Sequence, residues 1–273
     1  MDDSAFLDRW VFTGTWRDYQ QRVLDEFTQH TSDRRLHLVA APGSGKTIVG
    51  LEMVRRLGRP ALVLAPTQIV RDQWLSRLVP LFLEEAPRPE DVSRNLDDPA
   101  TLTVATYQAL HALAERSADG DLAGLAAKLC AHGQPTLVLD EAHHLRREWW
   151  MALRDFIAFM PDAHIVALTA TPPYDAPFAE WGRYEELCGP IDLEVTVPEL
   201  VRNGDLCPHQ DHVLFSYPDH DARDLLDRRR LGMAAFQQCV RDDVALLDFL
   251  EAHPWLQEPH SSVEQILEAP EVL

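Results

Sequence analysis

Two short stretches hold the residue types that handle phosphate. At 41–47 the chain reads APGSGKT, directly after the apolar run LHLVAA and at the opening of a helical pattern. Gly43 and Gly45 let the backbone curl until successive N–H groups face one point, with Pro42 and Ser44 completing the loop. The helix N-terminus adds the positive end of its dipole. Lys46 would then reach the β- and γ-phosphates of ATP, and Thr47 would offer its hydroxyl to Mg²⁺. Ala40 or Ala41 stands where the pattern G-x-x-x-x-G-K-[ST] has its first glycine. Further on, the run TLVLD ends in Asp140-Glu141-Ala142-His143. An acid at the tip of a buried strand beside a phosphate loop is where an Mg²⁺-holding aspartate sits, and Glu141 is placed to polarise an attacking water. Alone, DEAH is also a common helix start, with acids near the dipole. The loop upstream weighs against that plainer account, and the two motifs are expected on adjacent strand ends.

Those motifs need a scaffold, and the hydropathy pattern supplies one. Short apolar runs at 36–41, 61–65, 101–105, 136–140, 164–170 and 212–217 read as strands. Helical patterns lie between them near 17–29, 45–57, 68–84, 107–116, 121–131, 146–159 and 176–187. Continuous apolar strands alternating with helices predict a doubly wound, mostly parallel α/β sheet, and the loop at 41–47 marks it as the P-loop NTPase kind. Ligands are expected at the carboxyl ends of its strands. The acidic, Pro-rich stretch 84–100 reads as a surface loop. After Tyr217 the strand signal stops, and 221–253 is helical in pattern, with an interruption expected near Gly232 and a stop at Pro254. Ser261 and Glu264 make a capping box for a last short helix. The expected organisation is an ATP-binding domain over 1–217 and an acidic helical extension over 218–273. Leu225, Leu226, Phe236, Val240, Val244, Leu247 and Leu250 form an apolar stripe on that extension, which must pack on the first domain or, the favoured expectation, against a protein partner or downstream polypeptide.

Composition narrows the classes. With 273 residues, 46% hydrophobic and 25% charged, the chain is globular in character and neither collagen-like nor wholly disordered. No apolar run reaches membrane-spanning length, and MDDSAFLDRW is no secretory signal, so no membrane association and a cytoplasmic setting are expected. The 25 basic residues face 44 acidic ones, a formal net charge of −19, and the only lysines are Lys46 and Lys128. Bulk charge therefore argues against tight nucleic-acid binding by this chain alone, while leaving a local groove open. Cys130, Cys188, Cys207 and Cys239 form no C-x-x-C and read as reduced, packed thiols. Cys207, His209 and His212 fall short of a four-ligand zinc site.

With both motifs in place, the sequence resembles the superfamily-two DExH (DEAH-box) helicases and translocases. The likeness is to the branch of restriction-enzyme motors and repair translocases, and to their first RecA-like domain. It runs from about residue 10 to 216. TWRDYQ at 15–20 resembles that branch's adenine-reading element, which implies Gln20 as the adenine contact and Arg17 as its neighbour. LAPTQIVRDQW at 64–74 and VATYQAL at 104–110 resemble motifs Ia and Ib. They imply Thr67, Gln68, Arg71, Thr106 and Tyr107 as contacts to a nucleic-acid backbone, with duplex DNA favoured. DEAHHL resembles motif II, and TATP at 169–172 resembles motif III, so His143, Thr169 and Thr171 are expected to couple ATP state to strand binding. Each element also has a plainer account. Trp16, Tyr19 and Trp74 could be core aromatics, His144 a packed or capping residue, and the two threonines turn caps.

The resemblance also implies what should follow. A second RecA-like domain normally supplies an arginine finger in a Q-x-x-G-R-x-x-R segment, yet the only Gly-Arg pairs here are Gly58-Arg59 and Gly182-Arg183. The chain is therefore expected to bind ATP·Mg²⁺, to hydrolyse it slowly alone, and to need that second domain in cis or in trans. The alternatives are an ATP-binding switch that regulates partner proteins without translocating, and a scaffold with a vestigial site.

Overall fold

Among the described residues, seven parallel strands form one sheet: β1 (Arg35–Ala40), β2 (Ala61–Ala65), β3 (Val92–Ser93), β4 (Leu102–Thr106), β5 (Thr136–Asp140), β6 (His164–Thr169) and β7 (Leu193–Val195). Their spatial order is β3-β4-β2-β5-β6-β1-β7. The computed structural model describes residues 4–30, 32–116, 120–131, 133–145, 147–176, 178–208 and 217–252.

The apolar runs become central strands because both faces are covered. Every residue of β2 and of β5 is buried. Alternate side chains feed two cores. Val63, Val138 and Val166 pack with Leu24, Val54 and Leu78 on one face, where α2 (Asp18–Glu26), α3 (Lys46–Leu57) and α4 (Gln68–Phe82) lie. Leu62, Leu137 and Leu139 pack with Leu110, Leu125 and Phe156 on the other, under α5 (Tyr107–Arg116), α6 (Gly120–Cys130), α7 (Arg147–Ala158) and α8 (Phe178–Cys188). A fully buried aliphatic side chain contributes about 1.5–3 kcal/mol, so this double layer is what fixes the strand ends in space.

Three expectations need correcting. The phosphate loop and the acid pair are not on adjacent strands, because β6 pairs with β1 on one side and β5 on the other. Sequence order cannot give spatial order in a doubly wound sheet, and the consequence is that Thr169 emerges between the two motifs. The stretch 84–100 is not wholly loop. Asp91 is buried, accepts from Arg9 and Arg88, and lends its carbonyl to Leu102 N–H, which pins β3 to the sheet edge. Gly232 breaks nothing: α10 (His220–Asp242) runs through it, and the interruption falls at Asp243, whose carboxylate caps α11 (Val244–Glu251). Short elements that carry too little periodicity to read also appear, α1 (Ser4–Leu7), α9 (Val197–Arg202) and β7.

The chain divides into two compact units, Met1–Pro208 and His209–Leu273. The expected strand at 212–217 lies outside the described residues except for Tyr217, as do His209, His212, Pro254, Ser261 and Glu264. No group of three or more metal-binding side chains occurs among the described residues, and none of their helices is long and apolar enough to cross a membrane.

Candidate functional site

The loop between β1 and α3 is held from behind. Gly43 and Gly45 both take φ of +81°, the left-handed region that favours glycine, and Gly45 opens α3. From α2, Tyr19 Oη donates to the Ser44 carbonyl at 2.7 Å and Gln20 Nε2 donates to the same oxygen at 2.9 Å. Gln20 Oε1 accepts from Arg17 N–H at 3.2 Å, and the Arg17 guanidinium donates to Tyr19 Oη. The expected adenine contact is thus also a strut of the loop, with both ends of its amide engaged. A Cβ at Gly45 would come 2.7 Å from Gln20 Nε2, so a side chain there would push the strut away. Lys46 is buried, donates to the Ala40 carbonyl at 3.0 Å, and stands 3.5 Å from Glu141 Oε1. Arg17, Gln20, Pro42, Lys46, Thr47, Asp140 and Glu141 line one cleft of about 590 Å³.

The acid pair is built differently. Asp140 is buried at the end of β5, and its Oδ2 accepts from Trp74 Nε1 at 2.7 Å. Burial pushes the Asp140 carboxyl up to about 6, against the Trp74 hydrogen bond that lowers it and with the Glu141 charge that raises it. Glu141 takes φ of +48°, a left-handed conformation that costs a non-glycine residue about 1 kcal/mol. That turn sends the chain into a 3₁₀ segment at Ala142–His144 and leaves Glu141 facing Lys46.

Motif III closes the arrangement. His143 Nδ1 and Thr169 Oγ1 are 2.7 Å apart, His143 Nδ1 stands 3.5 Å from Glu141 Oε2, and Ala170 N–H donates to that same carboxylate at 3.4 Å. Burial holds His143 below its ordinary pKa. Thr171 is exposed and lines a second cleft of about 540 Å³ with Glu141, His143, His144 and Thr67. His144 is exposed, with its ring 4.0 Å from that of His143. Behind the site, the His37 ring bridges the Gly189 carbonyl at 3.1 Å and Tyr184 Oη at 2.8 Å. A carbonyl only accepts, so His37 Nδ1 carries the proton and Tyr184 donates to Nε2.

The expected nucleic-acid contacts fare unequally. Thr67 and Gln68 are exposed at the start of α4, where Thr67 Oγ1 caps the helix by accepting from Val70 N–H. Thr106 does the same for α5 through Ala109 N–H. Two helix N-termini therefore open at the carboxyl ends of β2 and β4. Arg71 is half-buried and paired with Asp72. Tyr107 is not on this surface. Its ring is in the core and its hydroxyl donates to the Asp140 carbonyl at 3.0 Å, because the apolar face of α5 begins at that residue.

The donor set fits ATP·Mg²⁺. The loop offers a buried ammonium and left-handed glycines, and the Ser44 hydroxyl is buried without a partner among the described residues. Asp140 and Thr47 are the oxygen ligands available to a hard cation, which takes carboxylate and hydroxyl oxygens. Sequence reasoning did not see Trp74 as part of this site. A signal was present, since an indole N–H can only donate and a Trp on the inner face of a helix usually has an acceptor in reach.

The family model described as type III restriction enzyme, res subunit, matches residues 13–174. The chain is 32% identical over 202 residues to the putative helicase 055L of Frog virus 3 (isolate Goorha), covering 69% of this chain and 42% of that protein. It is 29% identical over 184 residues to the DNA 3'-5' translocase XPB2 of Sulfurisphaera tokodaii, covering 67% and 36%. Among solved structures, the UvsW helicase from bacteriophage T4 superposes with a TM-score of 0.48 at 14% identity, over 70% of this chain and 66% of that one. The chain spans about two fifths of the length of the two relatives named.

Proposed function

Because the chain belongs to the family of type III restriction enzyme res subunits, we propose that it is the ATP-binding half of a nucleic-acid-dependent ATPase of the helicase and translocase kind. The observation that carries this reading is the meeting of Lys46, Glu141 and the His143–Thr169 pair at neighbouring strand ends. Lys46 and the N–H groups of 43–47 hold the β- and γ-phosphates. Asp140 and Thr47 would hold Mg²⁺, which would neutralise phosphate charge. Glu141 orients a water toward the γ-phosphorus and takes its proton as the new P–O bond forms and the β–γ bridging bond breaks. Arg17 and Gln20 border the adenine end of the cleft. His143 and Thr169 tie the state of Glu141 to Thr171 and the second cleft, so occupancy on one side can be read on the other.

DNA lies, in this reading, across Thr67, Gln68, Arg71 and Thr106. The two helix N-termini, capped by Thr67 and Thr106, add partial positive charge beside the Arg71 guanidinium. A second RecA-like domain, in cis or in trans, brings the arginine finger, worth ~10³–10⁵ in rate. The acidic composition of 218–273 suits a basic protein surface. Titrating a fluorescent ATP analogue against the wild type and Lys46→Ala tests the core of the proposal. Equal affinity in the two would refute it.

A further inference from the structure

Trp74 and Asp140 are 66 residues apart in sequence, yet the indole N–H ends 2.7 Å from the carboxylate, with both side chains buried. An indole has one polar group and it only donates, so a buried Trp without an acceptor leaves a costly orphan. Here the acceptor is the aspartate of the Mg²⁺-holding set. The partner's neutrality matters. An arginine or lysine in that position would fix the carboxylate equally well but would cancel the charge a divalent cation needs. The indole fixes it through one oxygen and leaves the full negative charge in place. Lys46, the nearby cation, is engaged with Ala40 and Glu141 instead.

A third residue shows that the contact is built. Gly50, on the inner side of α3, leaves the gap the indole occupies. A Cβ there would come 2.6 Å from Trp74 Cη2 and 2.8 Å from Leu168 Cδ1. The helix that opens at the phosphate loop is thus notched one turn in, and the helix that follows Thr67 sends a ring through the notch to the end of β5. We propose that Trp74 is a positioning residue for the metal site: seated in the Gly50 notch, it holds the Asp140 carboxylate in the orientation that receives Mg²⁺. The inference rests on the ATP·Mg²⁺ reading of the cleft. Mg²⁺ requires near-octahedral oxygens at short range, and a carboxylate free to swing serves it poorly.

The test separates metal from nucleotide. Affinity of the full chain for a fluorescent ATP analogue is measured in Mg²⁺ and in EDTA, for the wild type and for Trp74→Phe, which keeps a ring and removes the donor. The strengthening that Mg²⁺ gives the wild type should fall about tenfold in the variant, the scale of one hydrogen bond to a charged group, while affinity in EDTA stays within about twofold. On the wild type itself, the Trp74 indole proton resonance, identified by its loss in Trp74→Phe, should move when Mg²⁺ is added to the nucleotide-bound chain and stay put when nucleotide is added in EDTA. That second measurement stands even where the variant folds poorly. An unchanged Mg²⁺ dependence in a folded variant, or an indole resonance indifferent to Mg²⁺, overturns the inference alone. A wild type that binds no analogue in either buffer removes the ATP reading and this inference with it.

Discussion

The two faces at the carboxyl edge of the sheet are made by opposite means. Around the phosphate loop, the key groups are held by residues distant in sequence: the Ser44 carbonyl by Tyr19 and Gln20, the Asp140 carboxylate by Trp74, and the His143 ring by Thr169. On the expected nucleic-acid face, Thr67 and Thr106 are held by helices that begin beside them, and Arg71 pairs with the next residue along. The first face is preorganised by tertiary contacts, which suits charge stabilisation in a reaction. The second consists of locally held groups, which under the proposed reading meet a backbone that repeats, where register matters and base identity does not. Changes on the first face should therefore cost chemistry, and changes on the second only a few-fold in affinity.

The largest effect should come from Glu141→Gln. Measured with the second domain supplied, hydrolysis should fall about 10²–10⁴-fold, the usual range for loss of a positioned general base, with nucleotide affinity retained. Weakened binding in that variant would instead place Glu141 among the phosphate contacts. Next is Lys46→Ala, for which the fluorescent analogue should bind about 10–100-fold more weakly, the range for losing one or two charge-assisted hydrogen bonds.

The third prediction concerns the scaffold behind the site. Burial depresses the His37 pKa, so below its ordinary value near 6.5 the unfolded chain takes up a proton that the folded chain refuses. Stability should fall as pH drops through that value, by up to about 1.4 kcal/mol per pH unit from this one group. Denaturant unfolding at pH 7.5 and 5.5 should show a shallower loss in His37→Gln than in the wild type. A slope unaltered by the substitution would mean His37 titrates normally in the fold.

The smallest effects belong to the caps. Thr67→Ala and Thr106→Ala should each cost about 1 kcal/mol of stability and a few-fold in DNA affinity, without changing ATP binding. DNA binding by the wild type should be weak and insensitive to sequence, with a shallow dependence on salt because few counterions are displaced. Tight, sequence-specific binding at physiological salt would erase the contrast between the faces.

Much of the nucleotide side was legible because its chemistry restricts residue types. Glycines where φ must be positive, a lysine at a helix start and an acid pair ending an apolar run leave few other accounts. Tyr107 shows where that legibility ends. Beside Thr106 in a surface-contact motif it reads as exposed, yet it also begins the buried stripe of α5, and burial of a large ring prevails.

By itself the sequence determined the parallel α/β class, the loop at 41–47, the acids at 140 and 141, and the helices that begin just after Thr67 and Thr106. Each depends on periodicity or on neighbours a few residues away. Only the tertiary structure decided that β6 runs between the two motifs, that Gln20 braces the loop it borders, and that Trp74 reaches Asp140 through the notch at Gly50. Strand order and side-chain contacts across 24 or 66 residues are settled by which faces pack best together. That competition among buried surfaces is global, and no local pattern records its outcome.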